Sequence, residues 1–362
     1  MAEHFPVTRT KRELYTYLTT FDVEQYQKTR NCLQGTVSRL SPYITRGVIT
    51  LPEIRDCILQ RNSYWAAEKF IQELAWREYW HEVWYAKQEA IFSDLRFSRE
   101  DWEHRDLVAT IVMGTTGIST IDQAVRVLYE TGYMHNHARM WTAMLACNVA
   151  KAHWYDMGRW LYYHLYDGDL ASNMLSWQWV AGTNAGKRYV ANQKLINGCS
   201  NISQTRTFLT MSREKVGQGP VPTELQATLP FHYQTTYPVS DNVAWKASKV
   251  FLYSPWTLNP DWRFGEVGER VLVLEPRWFD RFPVSSKVLE FILGVARTQV
   301  PGCRVYVGNV ADIQFGDHTL IFSQSYPAHL DWPGSQDTPD RLFPEVSGYY
   351  PSFFKFWQAC QG

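Results

Sequence analysis

The sequence predicts a mainly α chain, a large helical domain followed by a small α/β domain, and three observations predict it. Apolar and aromatic residues recur at helical spacing through the N-terminal half. Between 206 and 245 the chain turns to Pro, Gly, Thr and Gln with little periodicity, which reads as a linker. Beyond it, short β-rich runs alternate with an amphipathic stretch, the pattern of an α/β unit. The expected divisions are 1–205 helical, 206–245 linker and 246–362 α/β.

Taken in order, Leu14, Tyr17, Leu18 and Phe21 predict a helix over 11–30. Thr36, Ser38 and Ser41 then place hydroxyls ahead of Pro42 and Tyr43, which open a second helix. Hydroxyls and free N–H groups at a helix start make an anion site. Residues 66–88 form an aromatic helix on which Glu73, Trp76 and Arg77, at i, i+3 and i+4, share a face. A looser stretch, 97–120, introduces a helix over 121–150, where Asn136, Arg139 and Met140 project together. The apolar segment 151–165 leads into a loop with Asp167, Asp169 and Asn173, followed by Ser-Trp-Gln-Trp at 176–179. Polar residues so closely spaced among apolar ones are costly to bury alone, so something large and polar is expected against them. In the last third, the runs at 249–254, 270–275, 303–308 and 318–324 and a helix over 286–297 predict a partly parallel sheet.

The formal net charge is zero, 36 basic against 36 acidic side chains, which excludes a polyelectrolyte binder. Residues 1–220 hold 25 basic and 22 acidic side chains and the remainder 11 and 14, so any nucleic-acid contact comes from a local patch. Six cysteines without a CxxC argue for a reducing compartment and against a zinc or disulfide framework, and no metal is expected. No signal peptide and no run of roughly eighteen apolar residues appears, so a soluble, cytoplasmic protein with no membrane contact is expected, and a monomer is the expected state. No GxGxxG or P-loop marks a ligand for the C-terminal part, which reads as structural support.

GYMHNHARM (132–140), DGDLASN (167–173) and SWQW (176–179) resemble the flavin-binding core of the photolyase and cryptochrome superfamily. VSRLSPYITRGVIT (37–50) and FIQELAWREYWHEV (70–83) fall upstream in the family's order, so the resemblance spans about residues 10–205. It implies a helical photolyase-type FAD-binding domain, from a short branch lacking the family's N-terminal antenna domain. FAD is the implied cofactor, held by Tyr26, Thr36, Ser38, Arg39, Leu40, Ser41, Arg139, Asp167, Asp169 and Asn173. Within that set Arg139 pairs with Asp167 at the flavin, Asp167 and Asp169 face the ring and ribityl region, and Asn173 lies opposite flavin N5. Trp177, Trp154 and Trp102 match an electron-transfer series, nearest to outermost.

The implied partner is damaged DNA, single- or double-stranded. Glu73 and Asn136 would hydrogen-bond the flipped lesion and Met140 would wall it, while Arg30, Trp76, Arg77, Trp179, Lys187 and Arg188 contact the substrate. Paired histidines, which repair of the (6-4) photoproduct needs, are absent from slots held by Asn136 and Met140. The resemblance therefore implies a deoxyribodipyrimidine photolyase that splits cyclobutane pyrimidine dimers. A cryptochrome-like blue-light photoreceptor without repair is the alternative, on the neutral charge, a missing arginine after 188, His137 and Met174.

Overall fold

The computed structural model describes residues 9–362, so the first eight residues of the expected helical domain lie outside the described residues. Thr10 and Glu13 form a capping box for α1 (Lys11–Leu18), and Asp22 caps α2 (Val23–Thr29). The single helix expected over 11–30 is therefore two, because the Asp22 carboxylate accepts the Gln25 N–H at 2.8 Å and starts a new one. After α3 (Ser41–Thr45) and α4 (Leu51–Leu59) comes α5 (Tyr64–Lys87), the axis of the helical part. It buries Ala67, Phe70, Ile71, Leu74, Tyr79, Trp80, Val83 and Trp84 all round its circumference, as a central helix must.

A short strand β1 (Leu107–Val108), then α6 (Ala109–Met113), α7 (Ser119–Thr131), α8 (Asn136–Met144), α9 (Trp154–His164), α10 (Leu170–Ala181) and α11 (Gln193–Gly198) complete the helical part. The helix expected over 121–150 is broken at Gly132, which takes φ +68° at the end of α7; a methyl group there would lie 2.5 Å from the Tyr166 ring. A π-helical turn at Leu145–Val149 follows α8. The stretch expected as a linker is fastened along the helices: β2 (Thr228–Leu229) pairs antiparallel with β1, and the Arg159 guanidinium lies 3.9 Å from the Phe231 ring centre.

The C-terminal part contains β3 (Lys249–Tyr253), β4 (Glu269–Leu274), α12 (Pro276–Phe279), α13 (Ser286–Gln299), β5 (Arg304–Val307), β6 (Leu320–Gln324) and β7 (Ser335–Asp337). The five strands are all parallel, in the order β5-β4-β3-β6-β7, where a partly parallel sheet of four runs was expected. This is a doubly wound order that reverses between β3 and β6. Val250, Leu252, Val271 and Val273 pack a small cluster on one face, while the other face joins the main core.

The carboxyl ends of β3 and β6 face the helices. Arg46 Nη1 donates to Pro255 O at 3.1 Å, Leu258 N to Arg46 O at 2.7 Å and Tyr85 Oη to Ser325 O at 3.2 Å. The chain then returns to α5, where the Glu78 carboxylate accepts the Leu342 and Phe343 N–H groups, and α14 (Phe353–Cys360) lays Phe353 flat on Trp76. Among the described residues no helix is long and apolar enough to cross a membrane.

Candidate functional site

The loop joining α9 to α10 carries two carboxylates on either side of Gly168, and the rest of the helical part is arranged about it. Asp167 receives Arg139 Nη2 at 3.0 and 2.8 Å and Ser41 Oγ at 2.6 Å. Arg139 is fixed from its other end, since its Nε donates to Met134 O at 2.7 Å. Arg39 and Arg139 both approach the Tyr133 ring, at 5.8 and 5.6 Å from its centre. Arg39 takes φ +50°, which side-chain-bearing residues rarely adopt, within the hydroxyl-rich loop before α3.

Arg46 is wholly buried and clamps the loop from beneath. Its Nη2 donates to Tyr166 O at 2.9 Å and to Gly168 O at 3.3 Å. Burial lowers its pKa. Thr45 Oγ1 donates to Asp167 O at 3.1 Å and accepts Arg77 Nη2 at 2.7 Å, which ties α5 to the same loop.

Asp169 turns a different way from the expected one. One oxygen caps α10 by accepting Ser172 N at 2.7 Å. The other meets His81 Nε2 at 2.7 Å, Tyr326 Oη at 3.0 Å and Arg77 Nη1 at 3.4 Å. Burial alone would raise its pKa, yet His81 and Arg77 beside it hold the carboxyl far below the usual range. Asp169 thus faces α5 and the sheet, while Asp167 faces Arg139. A cavity of about 130 Å³ lies on the Asp169 side, lined among others by Thr45, Arg77, His81, Trp256 and Tyr326.

On α10, Asn173 Nδ2 donates to Gly158 O at 2.9 Å. Gly158 lets α9 and α10 approach closely, since a methyl group there would stand 3.3 Å from Met174 Sδ and 3.4 Å from Trp177 Cγ. Trp177 and Trp154 are buried, and Trp154 Nε1 donates to Asp94 Oδ1 at 2.7 Å. His153 lies 5.5 Å from Trp154 and 5.3 Å from the half-buried Trp102, so it bridges the two indoles. Trp179 leans on Tyr189 at 5.8 Å.

Glu73 on α5 pairs with Arg30 at 3.2 Å and Lys69 at 4.0 Å. Tyr26 packs edge-on against Phe70 at 5.1 Å, and burial raises its hydroxyl pKa. Trp76 is stacked by Phe353 at 3.7 Å and 10°. Met140 is half-buried and Asn136 exposed. Burial pushes His135 down to about 4, which leaves it neutral.

Several expected contacts are engaged elsewhere. Arg188 pairs with Asp101 at 2.6 Å, beside Trp102 in the chain, and Lys187 is exposed. Leu40 is in the core, the Thr36 N–H is held by Thr29 Oγ1, and the Ser41 hydroxyl donates to Asp167. With α3 only five residues long, the expected anion site has little helix dipole behind it. Sequence reasoning missed Thr45, Arg46, His81, Tyr133 and Tyr326. Arg46 had a signal, a lone charge in the apolar run Tyr43–Ile49. Tyr326 had none, being 157 residues from its partner.

The chain's own groups do not satisfy every polar atom here. Ser172 Oγ is buried without a partner, one residue before Asn173 on α10. A buried hydroxyl without a partner, in the turn that follows the Arg139–Asp167 pair, is a hydrogen-bonding group left for a bound molecule. A helical cradle with an Arg–Asp pair, a hydroxyl-bearing loop and buried indoles offers polar and aromatic groups to a large bound cofactor. Residues 70–208 match the family model described as the FAD binding domain of DNA photolyase.

The deoxyribodipyrimidine photo-lyase of Streptomyces griseus is 33% identical over 179 residues, 49% of this chain and 39% of that one. The enzyme of the same name from Thermus thermophilus is 33% identical over 165 residues, 44% of this chain and 38% of that one. Cryptochrome-2 of Arabidopsis thaliana is 25% identical over 175 residues, 44% and 28% of the two chains. Among solved structures, a cryptochrome of Synechocystis sp. aligns with a TM-score of 0.49 and 24% identity, over 55% of this chain and 44% of that one. The chain spans about two fifths of the length of the photo-lyases from Streptomyces and Thermus.

Proposed function

We propose that the chain is a light-driven DNA repair flavoprotein that splits cyclobutane pyrimidine dimers. The observation that carries the reading is the buried, partnerless hydroxyl of Ser172 in the first turn of α10, five residues after the Asp167 that holds Arg139. FAD, when bound and reduced, supplies the excited-state electron that no side chain can. The residues hold it: Arg139, Ser172 and Asn173 line the polar edge, with Ser38 and Arg39 on the phosphate side. Asp167 fixes Arg139, and Asp169 fixes the first turn of α10 beneath Ser172 and Asn173.

Trp177, Trp154 and Trp102, with His153 between the last two, form the route by which the cofactor is kept reduced. Trp76, Met140 and Trp179 supply apolar walls for an extruded lesion, and Glu73 and Asn136 its hydrogen-bond partners. A damaged step pairs badly and is cheap to extrude, a property the handling of lesions by photolyases exploits in general. Irradiating purified, reduced protein with a thymine-dimer oligonucleotide tests the reading, and dimer that persists under blue light overturns it.

A second reading, a blue-light receptor without repair, is favoured by particular contacts. Arg30 and Lys69 hold the Glu73 carboxylate, and Phe353 covers one face of Trp76. Arg188 is engaged by Asp101. Affinity for lesion-bearing over intact DNA that weakens with salt supports the enzyme, and equal affinity for both at low salt supports the receptor.

A further inference from the structure

We propose that Tyr326, on the segment after β6, is a positioning residue for the cofactor domain. With His81, its hydroxyl holds the Asp169 carboxylate at the start of α10, so that the α/β part sets how tightly the helical part retains FAD. The inference rests on the FAD reading given above.

Asp169 is a buried charge, its side chain 1% exposed, and one of its oxygens is shared by His81, Tyr326 and Arg77. Its other oxygen caps α10, so the carboxylate joins the sheet's carboxyl edge to the first turn of the helix that carries Ser172 and Asn173. Removing the Tyr326 hydroxyl leaves that oxygen to His81 and Arg77 alone, so the carboxylate, and the α10 cap it forms, is free to shift towards them. The Tyr326 ring has little freedom to move with it. It stacks on Trp256 at 5.3 Å and 3°, with Trp84 edge-on at 5.7 Å and His81 edge-on at 5.3 Å.

Burial, and then the Asp169 charge, push the Tyr326 pKa well above its ordinary value, so the hydroxyl stays a donor. His81 and Tyr326 both line the cavity beside that oxygen, His81 half-buried and Tyr326 buried. The C-terminal part, expected from its sequence only as support, thereby contributes one of the groups that shape the cofactor site.

The test compares FAD dissociation constants for the unaltered chain, Tyr326→Phe and Tyr85→Phe, with melting of each apoprotein as a check on folding. Tyr326→Phe keeps the ring stack and loses only the hydroxyl. Tyr85→Phe removes a hydroxyl of the same kind, bonded to Ser325 O across the same boundary, without touching Asp169. FAD affinity about tenfold weaker in Tyr326→Phe and within about twofold in Tyr85→Phe supports the inference. Affinity unchanged in Tyr326→Phe, or lowered equally in both, overturns it. Should Tyr326→Phe fail to fold, His81→Gln probes the same oxygen, and retained affinity there overturns the inference. Wild-type protein that binds no FAD sinks the flavin reading itself, and this inference with it.

Discussion

Arg139 Nη2 donates to both carboxylate oxygens of Asp167, and Ser41 adds a third hydrogen bond to the same group. Breaking such a pair from one side strands a charge inside the protein. Arg139→Met should therefore lower unfolding stability by about 3 kcal/mol in urea titrations, and abolish FAD retention. A loss under about 1 kcal/mol would mean that Ser41 and water already satisfy Asp167 without the guanidinium.

Trp177→Phe should slow photoreduction of the bound flavin while leaving its affinity in the dark unchanged. The indole is buried against Gly158 and Met174, and a phenyl ring fills most of the same space without matching its ease of oxidation. Photoreduction at the wild-type rate would remove Trp177 from the series.

Glu73→Ala should weaken binding of a thymine-dimer oligonucleotide by about 1–3 kcal/mol, by leaving lesion groups unpaired. Arg30 also loses its partner, so undamaged DNA should bind as well as before or slightly better. Equal weakening for damaged and intact DNA would indicate a role confined to the surface charge.

Phe353→Ala should cost about 3–5 kcal/mol, because Phe353 is 3% exposed and stacked on Trp76. α14 is expected to detach, which limited proteolysis within 339–352 would detect. Wild-type resistance to protease would show that the Glu78 contacts alone hold the segment.

Burial pushes His329 down to about 3, and His135 and His164 to about 4. A histidine depressed in the folded state takes up its proton first in the unfolded chain. Stability is therefore undiminished above about pH 6.5 and falls as pH drops below it towards the folded value. Between pH 7 and 5 the His329 contribution to that fall is about 2 kcal/mol. Urea midpoints should decline over this window, and His329→Phe should flatten the decline. A midpoint independent of pH in the wild type would contradict the burial of all three rings.

Much of this was legible from local pattern. The aromatic helix expected over 66–88 is α5 at 64–87, and the helix expected over 286–297 is α13 at 286–299. Arg139 and Asp167 meet as their motifs imply. What failed was of two kinds. Helix ends set by single residues, Asp22 and Gly132, are weak signals against strong apolar periodicity, so two helices were read through their breaks. Contacts between distant segments leave no periodicity at all. Nothing near Asp169 announces Tyr326, nothing near Trp76 announces Phe353, and short β-rich runs do not reveal that all five strands lie parallel.

The distance along the chain between Asp169 and Tyr326 also sets a schedule. A ribosome releases Asp169 157 residues before the tyrosine that covers it. At about 5–20 residues per second the interval is on the order of ten seconds or more. Throughout that time the newly made helices carry a charged, half-covered helix start and the bare flank of α5 that α14 later covers. Cofactor loading and chaperone capture would therefore compete for the same nascent surface until Tyr326 and α14 emerge to cover it.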